Sequence, residues 1–83
     1  MREIEKRTFQ HNGRTFASKL YETNRGYSVV VFLDDIPVSP SYRVDFETNA
    51  DYFMQHRQRL TEHLLDLSES DVRQELYFHP PGK

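Results

Sequence analysis

The chain changes its hydrophobic rhythm once. Up to Phe46 the apolar residues come in short aromatic or β-branched runs, and from Ala50 onward they recur at three- and four-residue intervals. Asn12-Gly13 is the sharpest local signal in the first part, because both residues tolerate the positive φ of a two-residue hairpin turn. Such a turn sets His11 opposite Arg14 and Phe9 opposite Phe16, and predicts strands from about Ile4 to His11 and from Arg14 to about Thr23. Thr23-Asn24-Arg25-Gly26 reads as a second turn, with Gly26 in the left-handed region. Tyr27 to Leu33 follows as an interior strand, since Val29-Val30-Val31-Phe32-Leu33 is apolar on both faces.

Asp34-Asp35, Pro37 and Pro40 break this pattern and make Ile36 to Ser41 a loop or an edge segment. Tyr42, Val44 and Phe46 then alternate with Arg43, Asp45 and Glu47, as in a half-buried strand. Thr48 or Asn49 is placed to cap a helix from about Ala50 to Leu67, with Asp51 in its first turn. Phe53, Leu60, Leu64 and Leu67 share one side of that helix, flanked by Ala50, Met54 and Leu65. Ser70 can cap a second, shorter helix from Asp71 to about Tyr77, and Pro80-Pro81-Gly82 ends regular structure.

These elements predict an α+β fold of two layers, ββββαα. A four-stranded antiparallel β-meander carries one main C-terminal helix on one face, with a short second helix after it. The expected organisation is a single domain over residues 1–78 and a mobile C-terminal tail over residues 79–83.

Composition narrows the function more than it names it. With 83 residues there is room for one small core, and 6 Phe and 5 Tyr argue against a disordered chain. The absence of cysteine excludes a disulfide scaffold, a thiolate zinc site and a cysteine nucleophile. No apolar run approaches the length of a membrane helix and no signal-peptide pattern opens the chain, so the expected location is cytoplasmic, with no membrane partner.

Charge is unevenly placed. Residues 1–26 hold Arg2, Lys6, Arg7, Arg14, Lys19 and Arg25 against Glu3, Glu5 and Glu22, a balance of +3. The rest of the chain holds five basic and ten acidic residues, a balance of -5. Arg7, Arg14, Lys19 and Arg25 are therefore candidate anion or nucleic-acid contacts, although a net charge of -2 opposes long-range steering toward a polyanion.

Nothing in the chain composes a catalytic constellation. Arg57 falls within the apolar arc of the main helix; either it binds an anion between helix and sheet, or its stem packs while the guanidinium pairs with Asp45 or Glu47. His56 and His63 stand seven residues apart, about 10 Å along one helix, too far to share a metal ion directly. His11 and His79 have no evident partners. Asp34-Asp35 reads as a turn and not as a carboxylate pair, and Ser39 and Ser41 lack a nucleophile context. Gly13, Gly26 and Gly82 are too scattered to cradle a phosphate. The expectation is a non-catalytic protein with no cofactor and no metal.

The interior strand supplies the positive signal. If it is apolar on both sides, one of its faces lies away from the helix: either Tyr27, Val29, Val31 and Leu33, or Val30 and Phe32. Tyr27, Val29 and Val31 with Arg43 form the candidate interaction surface, and a protein partner, most simply a second copy of the chain, is expected there. The alternative is nucleic-acid binding through the basic N-terminal hairpin.

The strand order around Gly26-Tyr27-Ser28-Val29, followed by strand and helix over residues 18–65, resembles the partner-binding domain of HicB-type antitoxins. Glu47-Thr48-Asn49 stands where that family enters its helix with Gly-Asp-Thr. The three-strand-plus-helix pattern is also similar to the arm-binding domains of phage-type integrases, which rely on a basic sheet. Neither resemblance carries a functional residue over to this chain.

Overall fold

Asn12 and Gly13 both lie at positive φ, 53° and 75°, as a type I′ turn requires. In the computed structural model, which describes residues 2–76, this turn joins β1 (Arg2–His11) to β2 (Arg14–Glu22). The turn fixes the register, pairing His11 with Arg14 and Phe9 with Phe16. The two phenylalanine rings stack with centroids 5.4 Å apart.

Thr23 closes the next connection. Its Oγ1 accepts from the amides of Arg25 (3.3 Å) and Gly26 (3.1 Å), and its own amide donates to the Gly26 carbonyl at 2.8 Å. Gly26 then opens β3 (Gly26–Leu33), and it does not take the left-handed conformation its place in the turn suggested. Glycine is required there for space: a Cβ would fall on the carbonyl oxygen of Val44, far inside contact distance.

Asp34 and Asp35, both at positive φ (52° and 64°), turn the chain into β4 (Ile36–Pro37). This two-residue strand and β5 (Tyr42–Asp45) both pair antiparallel with β3. The sheet therefore runs β1-β2-β3, with β4 and β5 sharing the last place. It is the expected antiparallel meander, with the segment expected as a loop or an edge supplying the two-residue β4, cut off at the prolines from the expected fourth strand, β5. Ser39 spans the cut, accepting from the Val31 amide at 2.9 Å.

The helical part differs in its boundaries. Asp45 Oδ1 accepts from the Thr48 amide at 2.6 Å and so caps α1 (Phe46–His56). The fourth strand consequently stops before Phe46, and the cap is neither Thr48 nor Asn49. Arg57 lies at φ 56° and ends α1; α2 (Leu60–Arg73) begins three residues later. Thus the helix expected over Ala50 to Leu67 is two helices, and Ser70, expected to cap a short helix, lies inside α2. There its hydroxyl receives a hydrogen bond from Gln74 Nε2 at 3.0 Å. Tyr77 and the tail over residues 79–83 lie outside the described residues.

The break also resets which helical side is buried. α2 buries Thr61, Leu65, Ser68, Asp71 and Val72, positions four, seven, ten and eleven residues after the first and so on one side of a helix. Leu67 is exposed and Leu64 half-buried, while α1 buries nothing and leaves Phe53 and Met54 47% and 76% exposed. Val72 completes one cluster with Phe9, Phe16 and Val31, and Leu65 another with Leu20 and Val29. Each such fully buried side chain contributes about 1.5–3 kcal/mol. Polar links also tie α2 to the sheet, among them the Tyr42 hydroxyl donating to Asp71 Oδ2 at 2.7 Å and Arg7 pairing with Asp66.

Candidate interaction surface

Strand parity settles which side of β3 is covered. Tyr27, Val29, Val31 and Leu33 share the face of Leu20, Ser18 and Phe16, their cross-strand partners in β2, and this is the face on which α2 packs. Val29 and Val31 have no exposure at all. Tyr27 is half-buried beneath α1, its ring edge-on to Phe46 at 5.3 Å. Of the four residues expected to form the interaction surface, then, only Arg43 stands on the open side. The other three belong to the core layer because α2 covers the odd-numbered positions of β3.

The open face is built from the alternate positions. Val30 and Phe32 are half-buried at its centre, beside Ala17 and Lys19 of β2. Lys19 Nζ lies 4.7 Å from the centroid of the Phe32 ring and 3.8 Å from Glu3 Oε1. Lys6 pairs with Lys19 across β1 and β2, while Tyr21 and Arg43 flank Ser28 on opposite sides. An apolar centre ringed by long cations is a surface suited to binding.

The basic hairpin residues do not converge. Lys19 is on the open face; Arg7 is on the helix-covered face, where it pairs with Asp66. Arg14 shares that covered side through its pairing with His11, and Arg25 is exposed in the β2–β3 turn, its carbonyl accepting from the Phe46 amide at 3.1 Å. Four cations that were consecutive in the charge pattern are thus divided between two faces and a turn, because strand parity alternates their side chains.

A groove of about 760 Å³ runs beside β5. Val44, Leu60 and Leu64 line it on the helix side, and Arg43, Asp45 and Arg25 bring charge to its rim. Asp45 is fully exposed, and hydrogen bonds from the Thr48 backbone and then its side chain hold its carboxyl below the ordinary carboxylate value. No periodicity in the sequence marks this groove, since Leu60 and Leu64 reach β5 only because the chain turns at Arg57.

The remaining chemistry-bearing residues have structural surroundings. Tyr52 lies between His56 and His63, its ring centroid 4.3 Å and 6.2 Å from theirs. His11 Nε2 lies 3.3 Å from Glu75 Oε1, which also accepts from Asn12 Nδ2 at 3.0 Å. Arg57 is exposed at the joint between the helices and not under them. Among the described residues no three His, Asp or Glu side chains gather as a metal ion needs, and no helix is long and apolar enough to cross a membrane.

No protein-family model, no curated protein and no solved structure matches this chain. The resemblances to antitoxin and integrase domains therefore gain no support beyond the order of strands and helix.

Proposed function

We propose that the protein is a small, non-catalytic interaction module whose partner is a protein held against the open face of the sheet. The observation that carries this reading is β3 itself, which is apolar on both sides and, among the described residues, has helix over only one of them. Val30 and Phe32 supply the apolar centre, and Lys6, Lys19 and Arg43 supply charge around it. Nucleic acid is the second reading, favoured by the placement of those three cations around Phe32, a ring that could stack on a base once Lys19 swings away.

Site-specific photo-crosslinking in host cells tests the proposal. A photoreactive residue at Thr15, on the open face, should trap one protein species, and one at Glu62, on α2, should not. Phe32→Asp should abolish the trapping. Equal trapping from both faces, or none, would reject the reading. Salt-sensitive amide shifts at Lys6, Lys19 and Arg43 on titration with single-stranded DNA or RNA would replace the protein partner by nucleic acid.

A further inference from the structure

The sheet has two edges, and they are treated differently. β1 is protected: Arg2, Glu3, Glu5, Lys6 and Arg7 crowd its first half, and its register slips between Glu3 and Glu5. Charge and bulging of this kind discourage a further strand. On the other edge β4 carries Pro37 and is followed by Pro40, and proline cannot donate to a ladder. β5 has no such protection. Among the described residues it pairs with β3 alone, and its outer side opens on the groove lined by Val44, Leu60 and Leu64.

We infer that β5 is a self-pairing edge, and that its occupant is β5 of a second copy of this chain, aligned antiparallel about a two-fold axis through Val44. The inference rests on the reading of the chain as an interaction module and names one partner for it. Charge complementarity selects the occupant. Antiparallel pairing centred on Val44 sets Arg43 opposite the second copy's Asp45, and Asp45 opposite the second copy's Arg43. Residues 43 and 45 project to the same side of the sheet, so both ion pairs form on one face, and Val44 meets its own copy on the other.

Asp45 is able to serve twice. One of its oxygens, Oδ1, takes the Thr48 amide of the α1 cap, and the Thr48 hydroxyl also bonds the carboxyl, but a carboxylate offers about four lone-pair sites and still accepts an arginine. Phe46, which follows directly, is 42% exposed and gains cover from the second copy. Two meanders joined in this way make one continuous antiparallel sheet across the two-fold axis. The open faces described above then lie side by side, doubling the surface presented to any other partner.

The ladder is short, so the dimer should be weak, and sedimentation velocity on the full chain should show it filling as concentration rises toward about 100 µM. Arg43→Asp sets like charges opposite each other twice and should weaken the dimer by about tenfold or more; Asp45→Arg should do the same. An equimolar mixture of the two variants restores both ion pairs in a heterodimer, and the dimer should return. Far-UV circular dichroism checks that Asp45→Arg, which loses its helix cap, still folds, while the exposed Arg43→Asp tests the pairing without touching the cap.

A wild-type chain that stays monomeric at the highest concentration would overturn the inference. So would Arg43→Asp dimerising as well as wild type, or a mixture of folded variants that stays monomeric. None of these results bears on cross-links from Thr15 on the open face, so failure of the edge pairing and failure of the interaction reading are told apart.

Discussion

Ser18 on β2 and Ser68 on α2 meet at 3.1 Å in the core, each with no solvent exposure. Ser68 Oγ also donates to the Leu65 carbonyl at 2.8 Å. A hydroxyl has one proton, so Ser18 is the donor between the two serines. This small polar joint lies between the two apolar clusters and aligns α2 along the sheet.

The two serines should therefore respond unequally to removal. Ser18→Ala leaves Ser68 with its bond to Leu65 and should cost about 0.5–1.5 kcal/mol. Ser68→Ala strands the Ser18 hydroxyl in a dry core and should cost about 1–3 kcal/mol, with the double variant losing less than the two together. Urea unfolding of the three variants measures this, and equal single costs would contradict the assignment of donor.

Gly26→Ala should destabilise the fold by about 1–3 kcal/mol, because the added methyl meets backbone that cannot swing aside. The damage should be local to the β3–β5 ladder. Amide exchange should accelerate at Tyr42 to Asp45 while the β1–β2 hairpin keeps its protection. Uniform loss across the sheet would show that the close approach to Val44 is not what the glycine provides.

Arg57→Gly should stabilise the protein. The arginine holds a left-handed backbone at φ 56°, which costs a residue with a Cβ about 1–2 kcal/mol. Glycine relieves that and gives back part of the gain in unfolded-state entropy, leaving a few tenths to about 1 kcal/mol. A raised urea midpoint checks the prediction, and a lowered one would assign the guanidinium a role that its exposed position does not suggest.

Asp45 gives α1 a pH dependence of definite sign. Its folded-state value lies below that of the unfolded chain, so its stabilisation is complete above the unfolded value of about 3.9 and is lost as pH falls through the folded one. Acid titration followed by NMR should show the Thr48 amide moving with the Asp45 carboxyl, at a pH below the ordinary carboxylate range. Asp45→Ala should abolish that step, and titration at or above the ordinary value would contradict the cap.

The sequence was most informative where local chemistry decides structure. Asn12-Gly13 is a turn by its own backbone preference, and the register of Phe9 on Phe16 follows from it without reference to the rest of the fold. The apolar run of β3 identified an interior strand but not its covered side. Val29 to Leu33 lacks the alternation that would have separated Val29 and Val31 from Val30 and Phe32, and only the docking of α2 makes the distinction. The break at Arg57 was silent because Arg57-Gln58-Arg59 contains neither glycine nor proline and consists of good helix formers. Missing it carried the phase set by Phe53 across the break, so Leu67 was expected on the apolar side, whereas α2 buries Leu65, Ser68 and Val72. The groove beside β5 was illegible for the same reason.

The order in which the elements leave the ribosome gives the Ser18–Ser68 joint another meaning. Every strand is synthesised before α2, and the joint spans 50 residues of chain. During translation Phe16, Leu20, Val29 and Val31 therefore lack their cover until α2 has been made. Contacts of such long sequence separation form late and leave apolar surface open to neighbours in the meantime. The charges crowding β1 are well placed to keep that nascent sheet from meeting another, so the vulnerable moment in the life of this protein comes before α2 is made.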